Sequence, residues 1–518
     1  RLAEAGYDAN PLDALGDAND PLGEYAVHPV DLTGMTVEAV KQFGLSRKDA
    51  ARAKNMFALG LLSWMYGRPT DPTVAFLEKR FAKVADIRDA NVAAFKAGWN
   101  FGETTESFAV SYEIKPAPMA PGTYRNITGN LALAYGLVAA GVRSGLPVFL
   151  GSYPITPASD ILHELSKHKA FGVTTLQAED EIAGIGAAIG ASFGGALGVT
   201  TTSGPGIALK SEAIGLAVMT ELPLVVVDVQ RGGPSTGLPT KTEQADVFAA
   251  CFSAHGDVVR PVLAPTSVAD TFAITVEAFN IAEHYQTPVI ILSDQEISQR
   301  KEIVDPIDTS KFVIHERIKP SSADLQDYKR FRITESGISP ISHPGMLGGT
   351  YLASGIEHNE TGAPTASGNV HEAMNRKRIH KFDPLMERRD LFHLEGNPSA
   401  PLALVAWGSI AGVAREAMVL ARREGLDVKL LVPYLIFPIA EPFYRDFFAS
   451  VQRGLVVEQS YLAQFFKVLR MHLDLPKGVK PMARSGANPF QPAEIVAALQ
   501  NCLAELQRSH EGELQPQE

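Results

Sequence analysis

The sequence predicts an α/β protein built around parallel β-sheets. Short, continuously apolar runs alternate with helical patterns between residues 130 and 300, and the same alternation returns between 402 and 473. Continuously apolar runs are typical of strands that are covered on both faces, as they are in parallel sheets. Because ligands of open parallel sheets bind at the carboxyl ends of the strands, we expect the functional residues to lie at those ends.

The first 110 residues are predicted to be helical. Apolar residues recur at helical spacing over three stretches: 50–66, 74–84 and 89–97. A stretch with glycine, aspartate and proline over 6–23 is predicted to be a loop. Since the chain opens at Arg1, we expect the numbering to start inside a longer protein. A proline-rich linker is predicted over 113–126.

A first α/β module is predicted over 127–305. Its predicted helices are 131–144, 158–168, 182–193, 210–221 and 268–285. Its predicted strands are 147–151, 173–177, 197–202, 224–229 and 289–293. The carboxyl ends of these strands direct attention to four segments: 152–157, 179–181, 203–206 and 230–241.

A second α/β module is predicted over 399–507. Its predicted strands are 402–407, 428–432 and 454–458, and its predicted helices are 412–424, 441–450 and 463–473. A polar connecting segment, 306–398, joins the two modules, and 508–518 is predicted to be a frayed polar tail. A chain of 518 residues is long enough for about three domains.

Composition disfavours several classes of protein. Acidic residues (58) outnumber basic residues (47), and the formal charge of −11 argues against nucleic-acid binding, which needs a basic surface. Two cysteines, Cys251 and Cys502, are too few to hold an iron–sulfur cluster by thiolates alone, and free cysteines favour a reducing cytoplasm. The uncharged stretch 182–209 is built from small residues and is broken by glycine and proline at 204–206, so we do not interpret it as a membrane span.

The segment 179–181 carries three consecutive acidic residues in front of a glycine-rich helix. Gly184, Gly186 and Gly190 are spaced nearly as in a dinucleotide-binding fingerprint. Carboxylates at that helix terminus would repel a pyrophosphate, so we interpret the three glycines as helix-packing positions. Each acidic residue is either a cap favoured by the helix dipole or a functional carboxylate, and the pattern leaves both open.

Two other strand-end loops carry residues suited to ligand binding. The loop Y-P-I-T-P over 153–157 is stiffened by two prolines and presents the Thr156 hydroxyl, although it is equally consistent with a rigid turn. The other loop starts at Arg231 and runs through glycines to Thr240 and Lys241. A guanidinium can clamp a carboxylate by two parallel hydrogen bonds, and the glycines with Lys241 can form an anion nest. A surface salt bridge is the alternative for Arg231.

Together these segments resemble a known family. The stretch 177–206, Q-A-E-D-E-I-A-G-I-G-A-A-I-G-A-S-F-G-G-A-L-G-V-T-T-T-S-G-P-G, is similar to the pyrimidine-binding domain of thiamine diphosphate enzymes. With Y-P-I-T-P and R-G-G-P-S-T-G-L-P-T-K, it resembles the alpha subunit of the 2-oxoacid:ferredoxin oxidoreductases, most closely the 2-oxoglutarate type. The resemblance covers residues 122–473, and residues 1–112 are similar to the C-terminal part of the family's gamma domain.

The resemblance implies a fold and a set of site residues. It implies a pyrimidine-type thiamine diphosphate domain at 127–305 and a transketolase-like C-terminal domain at 399–507. Glu181 matches the glutamate that contacts N1′ of the aminopyrimidine and stabilises its imino tautomer. Arg231 matches the arginine that pairs with the C1 carboxylate of the oxoacid. The expected substrate contacts are Thr156, Arg231, Thr240 and Lys241, and the expected cofactor contacts are Tyr153, Pro154, Ile155, Glu181, Ser203 and Gly204.

The resemblance also implies partners, because two family motifs do not occur in the sequence. Neither G-D-G, which holds the diphosphate through Mg²⁺, nor C-x-x-C is present, and the nearest match to the first is G-D-A-N at 16–19. We therefore expect a beta subunit, in an α2β2 heterotetramer, that carries the Mg²⁺ and diphosphate site and a [4Fe-4S] cluster. The implied reaction converts 2-oxoglutarate and coenzyme A to succinyl-CoA, CO₂ and reduced ferredoxin, a step of the tricarboxylic acid cycle. The alternatives are pyruvate or another 2-oxoacid as substrate, or a non-catalytic scaffold.

Two polar runs in the connecting segment are further candidates. The run E-H-N-E at 357–360 with His371 has nitrogen and oxygen donors that a metal could use, but its spacing is not that of a helical ligand pair. We interpret it as solvated surface. The basic run 376–378 is interpreted as a solvated helix face, with a contact to the coenzyme A phosphates or to the partner as the alternative.

Overall fold

The computed structural model describes residues 23, 25–105, 111–238 and 240–513, with side chains to residue 508. The chain divides into two compact units, Arg1–Gly122 and Thr123–Glu518. The division falls inside the linker predicted over 113–126. Of the loop predicted over 6–23, all but Gly23 lies outside the described residues, and so does the G-D-A-N run.

The described part of the first unit is helical, as predicted. Its helices are α1 (Leu32–Ala39), α2 (Arg47–Arg52), α3 (Lys54–Met65), α4 (Asp71–Arg80) and α5 (Ala85–Thr104). The stretch predicted as one helix over 50–66 is divided at Ala53 into α2 and α3. Helices α3 and α5 pack together, and the side chains of Phe57 and Phe95 are buried.

The second unit begins with the first α/β module. Its strands are β1 (Arg125–Thr128), β2 (Val148–Ser152), β3 (Val173–Gln177), β4 (Leu197–Thr202), β5 (Leu224–Gln230), β6 (Val262–Leu263), β7 (Pro288–Asp294) and β8 (Lys301–Val304). Its helices are α6 (Gly129–Ser144), α7 (Ser159–Leu165), α8 (Glu181–Phe193), α9 (Gly204–Met219), α10 (Val247–Phe252), α11 (Val268–Tyr285) and α12 (Gln295–Gln299). All five predicted strands and all five predicted helices of this module are present.

The rest of the unit contains the connecting segment and the second module. Its helices are α13 (Gly368–His380), α14 (Ile410–Arg423), α15 (Glu441–Phe448), α16 (Gln464–His472) and α17 (Pro492–Glu513). Its strands are β9 (Phe392–Gly396), β10 (Leu402–Ala406), β11 (Val428–Pro433), β12 (Leu435–Phe437), β13 (Arg453–Glu458) and β14 (Val479–Ala483). Helix α17 is not among the predicted helices, and it runs through Glu513 into the stretch predicted to be a frayed tail.

The central sheet of the first module has seven strands in the order β12-β6-β7-β5-β4-β2-β3, and all pairs except β12 with β6 are parallel. This arrangement confirms the predicted parallel α/β class. Strands β2, β4 and β5 are consecutive neighbours, so the segments that follow them lie along one edge of the sheet. Among the described residues, no helix is long and apolar enough to cross a bilayer.

The second sheet, in the order β14-β13-β10-β11-β9, is parallel except for β9. Alternate residues of β10 face two different cores: Ala403 and Val405 join the core shared with the first sheet, whereas Leu404 packs against α14 and α17. Two elements cross the predicted domain limits, because β9 lies in the predicted connecting segment and β12 adds an edge strand to the first sheet. The two modules therefore share one core within one compact unit.

The basic run 376–378 lies on α13, but the prediction of a solvated face is wrong for two of its three residues. Lys377 and Arg378 are only 3% and 6% exposed. The Lys377 ammonium donates to Glu221 Oε1 at 2.6 Å, and Arg378 Nη2 donates to Glu357 Oε2 at 2.7 Å. Although burial raises the pKa of Glu221, the Lys377, Lys381 and Arg330 charges outweigh it and hold this pKa far below its usual value. The ion pairs of Glu221 with Lys377 and Lys381 anchor the connecting segment to the residues that follow α9.

The run at 357–360 has structural partners. Glu357 accepts from Arg378 and lies 2.5 Å from His371 Nδ1, while the His358 ring is buried against Phe331 at 4.0 Å between centroids. The interpretation as solvated surface is therefore wrong for His358. The part of the chain that the structure describes contains no group of three or more His, Cys, Asp or Glu residues arranged to hold a metal ion.

Candidate active site

The three acidic residues before α8 occupy different positions. Asp180 is the N-cap, and its Oδ1 accepts from Ala183 N at 2.8 Å. Glu179 and Asp180 are exposed, whereas Glu181 is half-buried and is the first residue of the helix. Since Asp180 provides the cap that the helix dipole favours, the Glu181 carboxylate is left for another role.

Removal of this cap should be visible as a loss of stability. We expect Asp180→Ala to lower the free energy of unfolding by about 1 kcal/mol, because the N–H of Ala183 loses its acceptor. Urea denaturation of the full chain measures the change. Glu179→Ala is the matched control, since Glu179 is exposed and does not cap the helix, and its stability should stay at the wild-type value. Equal stability of the two variants would contradict the assignment of Asp180 as the cap.

The Glu181 side chain meets Tyr153 and the first turn of α9. Tyr153 Oη lies 3.0 Å from Thr202 Oγ1. Burial raises the pKa of the Tyr153 phenol well above its usual value, and the neighbouring Glu181 carboxylate raises it further. A Cβ on Gly206 would lie 1.9 Å from Thr202 Oγ1, 2.6 Å from Tyr153 Oη and 3.0 Å from Glu181 Cγ. Only glycine leaves room at this position, so these side chains converge there.

The G-P-G run at 204–206 forms the first turn of α9 and does not break the chain before it. The helix predicted over 210–221 starts at Gly204, because proline is well tolerated in the first turn, where its missing N–H has no partner to lose. Ser203 is the N-cap residue, and its fully buried Oγ has no hydrogen-bond partner among the described residues. Within the described residues, this buried hydroxyl at the N-terminus of α9 is therefore an unpaired polar group.

The glycines of α8 do not all serve helix packing. A Cβ on Gly151 of β2 would lie 2.2 Å from Gly184 O, so the backbones of α8 and β2 are in contact there. For Gly186 and Gly190, however, an added Cβ would meet nothing within 4 Å, and both residues are exposed. The packing interpretation holds for Gly184 and is wrong for the other two, which leave one face of α8 flat and uncharged.

These residues fit an aminopyrimidine ring. Such a ring offers a nitrogen acceptor and an amino donor, and the half-buried Glu181 carboxylate and the unpartnered Ser203 hydroxyl are matching groups. The preceding loop is held in place because the Ser159 hydroxyl accepts from Ile155 N at 2.9 Å and donates to Ile155 O at 3.0 Å. Pro154 is exposed and Ile155 is half-buried on this loop.

Arg231 joins the end of β5 to the Y-P-I-T-P loop. Its Nη1 donates to Thr156 O at 2.6 Å across a separation of 75 residues. The residue is 8% exposed, and its buried Nε has no hydrogen-bond partner in the described structure. Thr156 itself has an exposed side chain. The structure therefore brings Arg231 and Thr156 together and leaves one edge of the guanidinium free for a carboxylate.

Thr240 and Lys241 lie farther along the same loop. The loop closes on itself, since Leu238 N donates to Gly232 O at 2.8 Å and Gly232 N donates to Lys241 O at 3.0 Å. Both side chains are exposed. Within the described part of the chain, neither forms a hydrogen bond to Arg231 or Thr156, so their expected substrate contacts stay predictions.

Three charged residues near the site are not among the predicted ones. Lys210 and Asp228 are fully buried, and Asp246, whose carboxyl lies near Arg231, is half-buried. Burial lowers the pKa of Lys210 to about 8, in spite of the Glu181 and Asp228 carboxylates. Two of the three stand out in the sequence, because Asp228 interrupts the apolar strand β5 and Lys210 interrupts an apolar helix.

The second module holds the segment that follows the Arg231 loop. Gln244 N donates to Gln459 O at 2.7 Å, and the Gln244 amide donates to Trp407 O at 2.8 Å and accepts from Gln459 N at 2.9 Å. Gln464 completes this contact by donating to Ala245 O at 2.7 Å. The second module thus holds in place the segment that follows the 231–241 loop.

The chain is similar to several known proteins. Residues 140–377 match the family described as the thiamine diphosphate-binding domain of pyruvate flavodoxin/ferredoxin oxidoreductases. The chain is 52% identical to 2-oxoglutarate oxidoreductase subunit KorA of Mycobacterium tuberculosis, over 82% of this chain and 64% of that protein. The match therefore spans just under two thirds of that relative.

Two further matches cover a larger share of the related protein. The chain is 33% identical to 2-oxoacid:ferredoxin oxidoreductase 2, subunit alpha, of Aeropyrum pernix, over 88% of this chain and 72% of that protein. The solved 2-oxoglutarate:ferredoxin oxidoreductase from Magnetococcus marinus, with 2-oxoglutarate, coenzyme A and succinyl-CoA bound, is 35% identical with a TM-score of 0.84, and the match covers 96% of this chain and 83% of that one. The sequence and the fold together place this chain in the family of alpha subunits of the 2-oxoacid:ferredoxin oxidoreductases.

Proposed function

We propose that this chain is the alpha subunit of a 2-oxoglutarate:ferredoxin oxidoreductase, which converts 2-oxoglutarate and coenzyme A to succinyl-CoA, CO₂ and reduced ferredoxin. The observation that carries the proposal is the position of Glu181 and Arg231 at one edge of the sheet, one beside Tyr153 and Gly206 and the other with a guanidinium Nε that has no hydrogen-bond partner among the described residues. The choice of 2-oxoglutarate is supported by the Mycobacterium relative and by the ligands of the Magnetococcus enzyme.

Each residue has a role that follows from its chemistry. Thiamine diphosphate, when bound, supplies the electron sink for decarboxylation. Glu181 would hold a proton at N1′ of the aminopyrimidine, and Tyr153 and Ser203 would line the ring. Arg231 would bind the C1 carboxylate of the oxoacid through its free edge, with Thr156 beside it. Thr240 and Lys241 are exposed on the loop that begins at Arg231, and from there they would contact the substrate.

A partner subunit would supply the cofactor-binding groups that this chain lacks. The chain contains neither G-D-G nor C-x-x-C, so a beta subunit would provide the Mg²⁺ and diphosphate ligands and the [4Fe-4S] cluster, in an α2β2 heterotetramer with ferredoxin as acceptor. The free cysteines Cys251 and Cys502 are both buried, which agrees with a place in the reducing cytoplasm.

If the beta subunit provides the Mg²⁺ and diphosphate ligands, the chain alone should bind thiamine diphosphate weakly. Without the Mg²⁺ and diphosphate ligands, we expect a dissociation constant well above about 1 µM. Calorimetric titration of the isolated chain in the presence of Mg²⁺ measures it, and the assembled complex is the control that should bind tightly. Micromolar or tighter binding by the isolated chain would contradict the half-site proposal.

The experiment that tests the function is purification of the chain with its native partners, followed by assay of benzyl viologen reduction with a panel of 2-oxoacids and coenzyme A. We expect the highest kcat/KM with 2-oxoglutarate. A preference for pyruvate or for a branched-chain oxoacid would keep the chemistry and change the substrate. Absence of activity with every oxoacid, from a complex with its cofactors bound, would support the scaffold alternative and overturn the proposal.

A further inference from the structure

The side chain of Gln244 reaches from the first module to the carboxyl edge of the second sheet. Gln244 follows the 231–241 loop and is fully buried. Its Nε2 donates to Trp407 O at 2.8 Å, and its Oε1 accepts from Gln459 N at 2.9 Å. Its backbone N–H also donates to Gln459 O at 2.7 Å. One residue thus bonds the second module at two places, 163 and 215 residues away in the chain.

Trp407 and Gln459 directly follow two neighbouring strands. Strand β10 ends at Ala406, β13 ends at Glu458, and the two strands pair in parallel. The next strand after β10, β11, lies on one side of it, and β13 lies on the other side, so the direction of winding reverses between β10 and β13. In open parallel sheets a ligand binds at this point. In this chain the Gln244 amide lies there.

The backbone of the second module leaves space for this amide and for nothing larger. A Cβ on Gly408 would lie 2.5 Å from Gln244 Nε2 and 3.3 Å from Asp294 Oδ2. Gly408 has a φ of +59°, which glycine adopts without strain because it has no Cβ. The absence of a side chain at position 408 therefore lets the Gln244 amide reach Trp407 O.

Gln244 is also connected to Arg231 through the base of the loop. Gln230 is the last residue of β5 and immediately precedes Arg231. Its Oε1 accepts from Asp246 N at 3.2 Å, and its Nε2 donates to Ser293 O at 3.1 Å. The two ends of the loop are therefore tied to each other, and Gln244 ties them to the second module.

We propose that Gln244 is a positioning residue for substrate binding. By holding the end of the 231–241 loop against the second module, it keeps the Arg231 guanidinium where it would meet the C1 carboxylate of the oxoacid. The inference rests on the proposed function for the identity of that substrate. The alternative is that the bond to Thr156 O places Arg231 without help from the loop.

The first test follows the loop itself, without cofactor, substrate or partner. Hydrogen–deuterium exchange of the full chain, read by mass spectrometry, reports on the bonded amides of Gly232 and Leu238. In Gln244→Met, which has a side chain of similar length but cannot form either amide bond, we expect these amides to exchange about tenfold faster. Loss of a buried hydrogen bond shifts a local opening equilibrium by up to about this factor. Helix α11 should exchange at the wild-type rate.

Gln286→Met is the matched control. Gln286 is another fully buried glutamine, and its Nε2 donates to a backbone carbonyl, Ser339 O, at 2.6 Å. Its replacement should lower stability and leave the exchange of the 231–241 loop unchanged. Unchanged exchange of the loop in a folded Gln244→Met chain would overturn the proposal, and so would an equal increase in the loop and in α11, which indicates a general loss of stability.

The same amide can be displaced from the opposite side. In Gly408→Ala the new methyl group would meet Gln244 Nε2, the end of a side chain that can move away, so the loop should exchange faster, as in Gln244→Met. Gly425→Ala is the control, because Gly425 also has a positive φ, +87°, and an added Cβ would meet nothing within 4 Å. This pair decides the matter if Gln244→Met does not fold: equal exchange of the loop in the two alanine variants would overturn the proposal.

The assembled enzyme gives an independent readout. In Gln244→Met, KM for 2-oxoglutarate should rise about tenfold and kcat should change by less than about threefold, because a displaced guanidinium weakens the binding of a carboxylate that is present in the substrate and in the transition state alike. A fall in kcat at unchanged KM would overturn the proposal. If the wild-type complex is inactive with every 2-oxoacid, the proposed function fails, and the exchange measurements still decide whether Gln244 holds the loop.

Discussion

Glu181→Gln is expected to lower the turnover of the assembled oxidoreductase by about a hundredfold or more, the range typical for the loss of an acid–base group. Glutamine keeps the shape of the side chain, but its amide can neither release nor take up a proton at N1′ of the aminopyrimidine. The N-cap of α8 is Asp180, so the helix should stay intact. Benzyl viologen reduction measures the turnover, and gel filtration checks that the complex still assembles.

Glu179→Gln is the control for this variant. Glu179 is exposed and precedes the cap, so its amide should leave turnover at the wild-type level. Normal turnover of the Glu181→Gln complex would assign the proton chemistry to a neighbouring acid, Glu179 or Asp180, and would refute the role that we give to Glu181.

Arg231→Lys should not be a conservative substitution. The guanidinium already uses Nη1 to hold Thr156 O at 2.6 Å, and an ammonium cannot keep that bond and also form a two-bond fork with a carboxylate. Loss of one charge-assisted hydrogen bond, worth about 1.5 to 3 kcal/mol, implies a fall in kcat/KM of about tenfold to a hundredfold. Since every 2-oxoacid bears the C1 carboxylate, the fall should be similar for 2-oxoglutarate and pyruvate.

Arg317→Lys separates this effect from a general cost of replacing a buried arginine. Arg317 donates to both carboxyl oxygens of Glu283, at 2.6 and 2.7 Å, and does not line the candidate site. Its replacement should lower stability, because a buried carboxylate loses a bond, with little change in kcat/KM. A fall in Arg231→Lys that is confined to 2-oxoglutarate would instead mean that Arg231 reads the distal carboxylate.

The strands and helices of the two modules can be predicted from local features of the sequence. Helix α11 (Val268–Tyr285) and strands β3 and β4 have the predicted bounds, because hydrophobic periodicity and turn residues are properties of the chain itself. The first turn of α9 was harder to predict, since Gly204 and Pro205 are helix breakers in most positions and are tolerated only at the start of a helix.

The environment of a charged side chain is less predictable. The run at 376–378 has the composition of a solvated helix face, yet Lys377 and Arg378 are buried. Their partners, Glu221 and Glu357, lie 156 and 21 residues away. No periodicity within α13 indicates these pairs, since they depend on which helix packs against it.

The sequence by itself determined the parallel α/β class, the strand-end loops and the candidates Glu181, Thr156 and Arg231, because strand ends and turn residues are local features and because the motifs are specific. Only the tertiary structure decided that Asp180 caps the helix and that Glu181 is half-buried beside Tyr153. It also decided that Arg231 reaches Thr156, that Gly206 gives room to Glu181 and Tyr153, and that Lys210 is buried beside Tyr153. The reason is physical: ionisation and hydrogen bonding depend on burial and on neighbours distant in sequence, and only the packing of α8 and α9 on the sheet sets both.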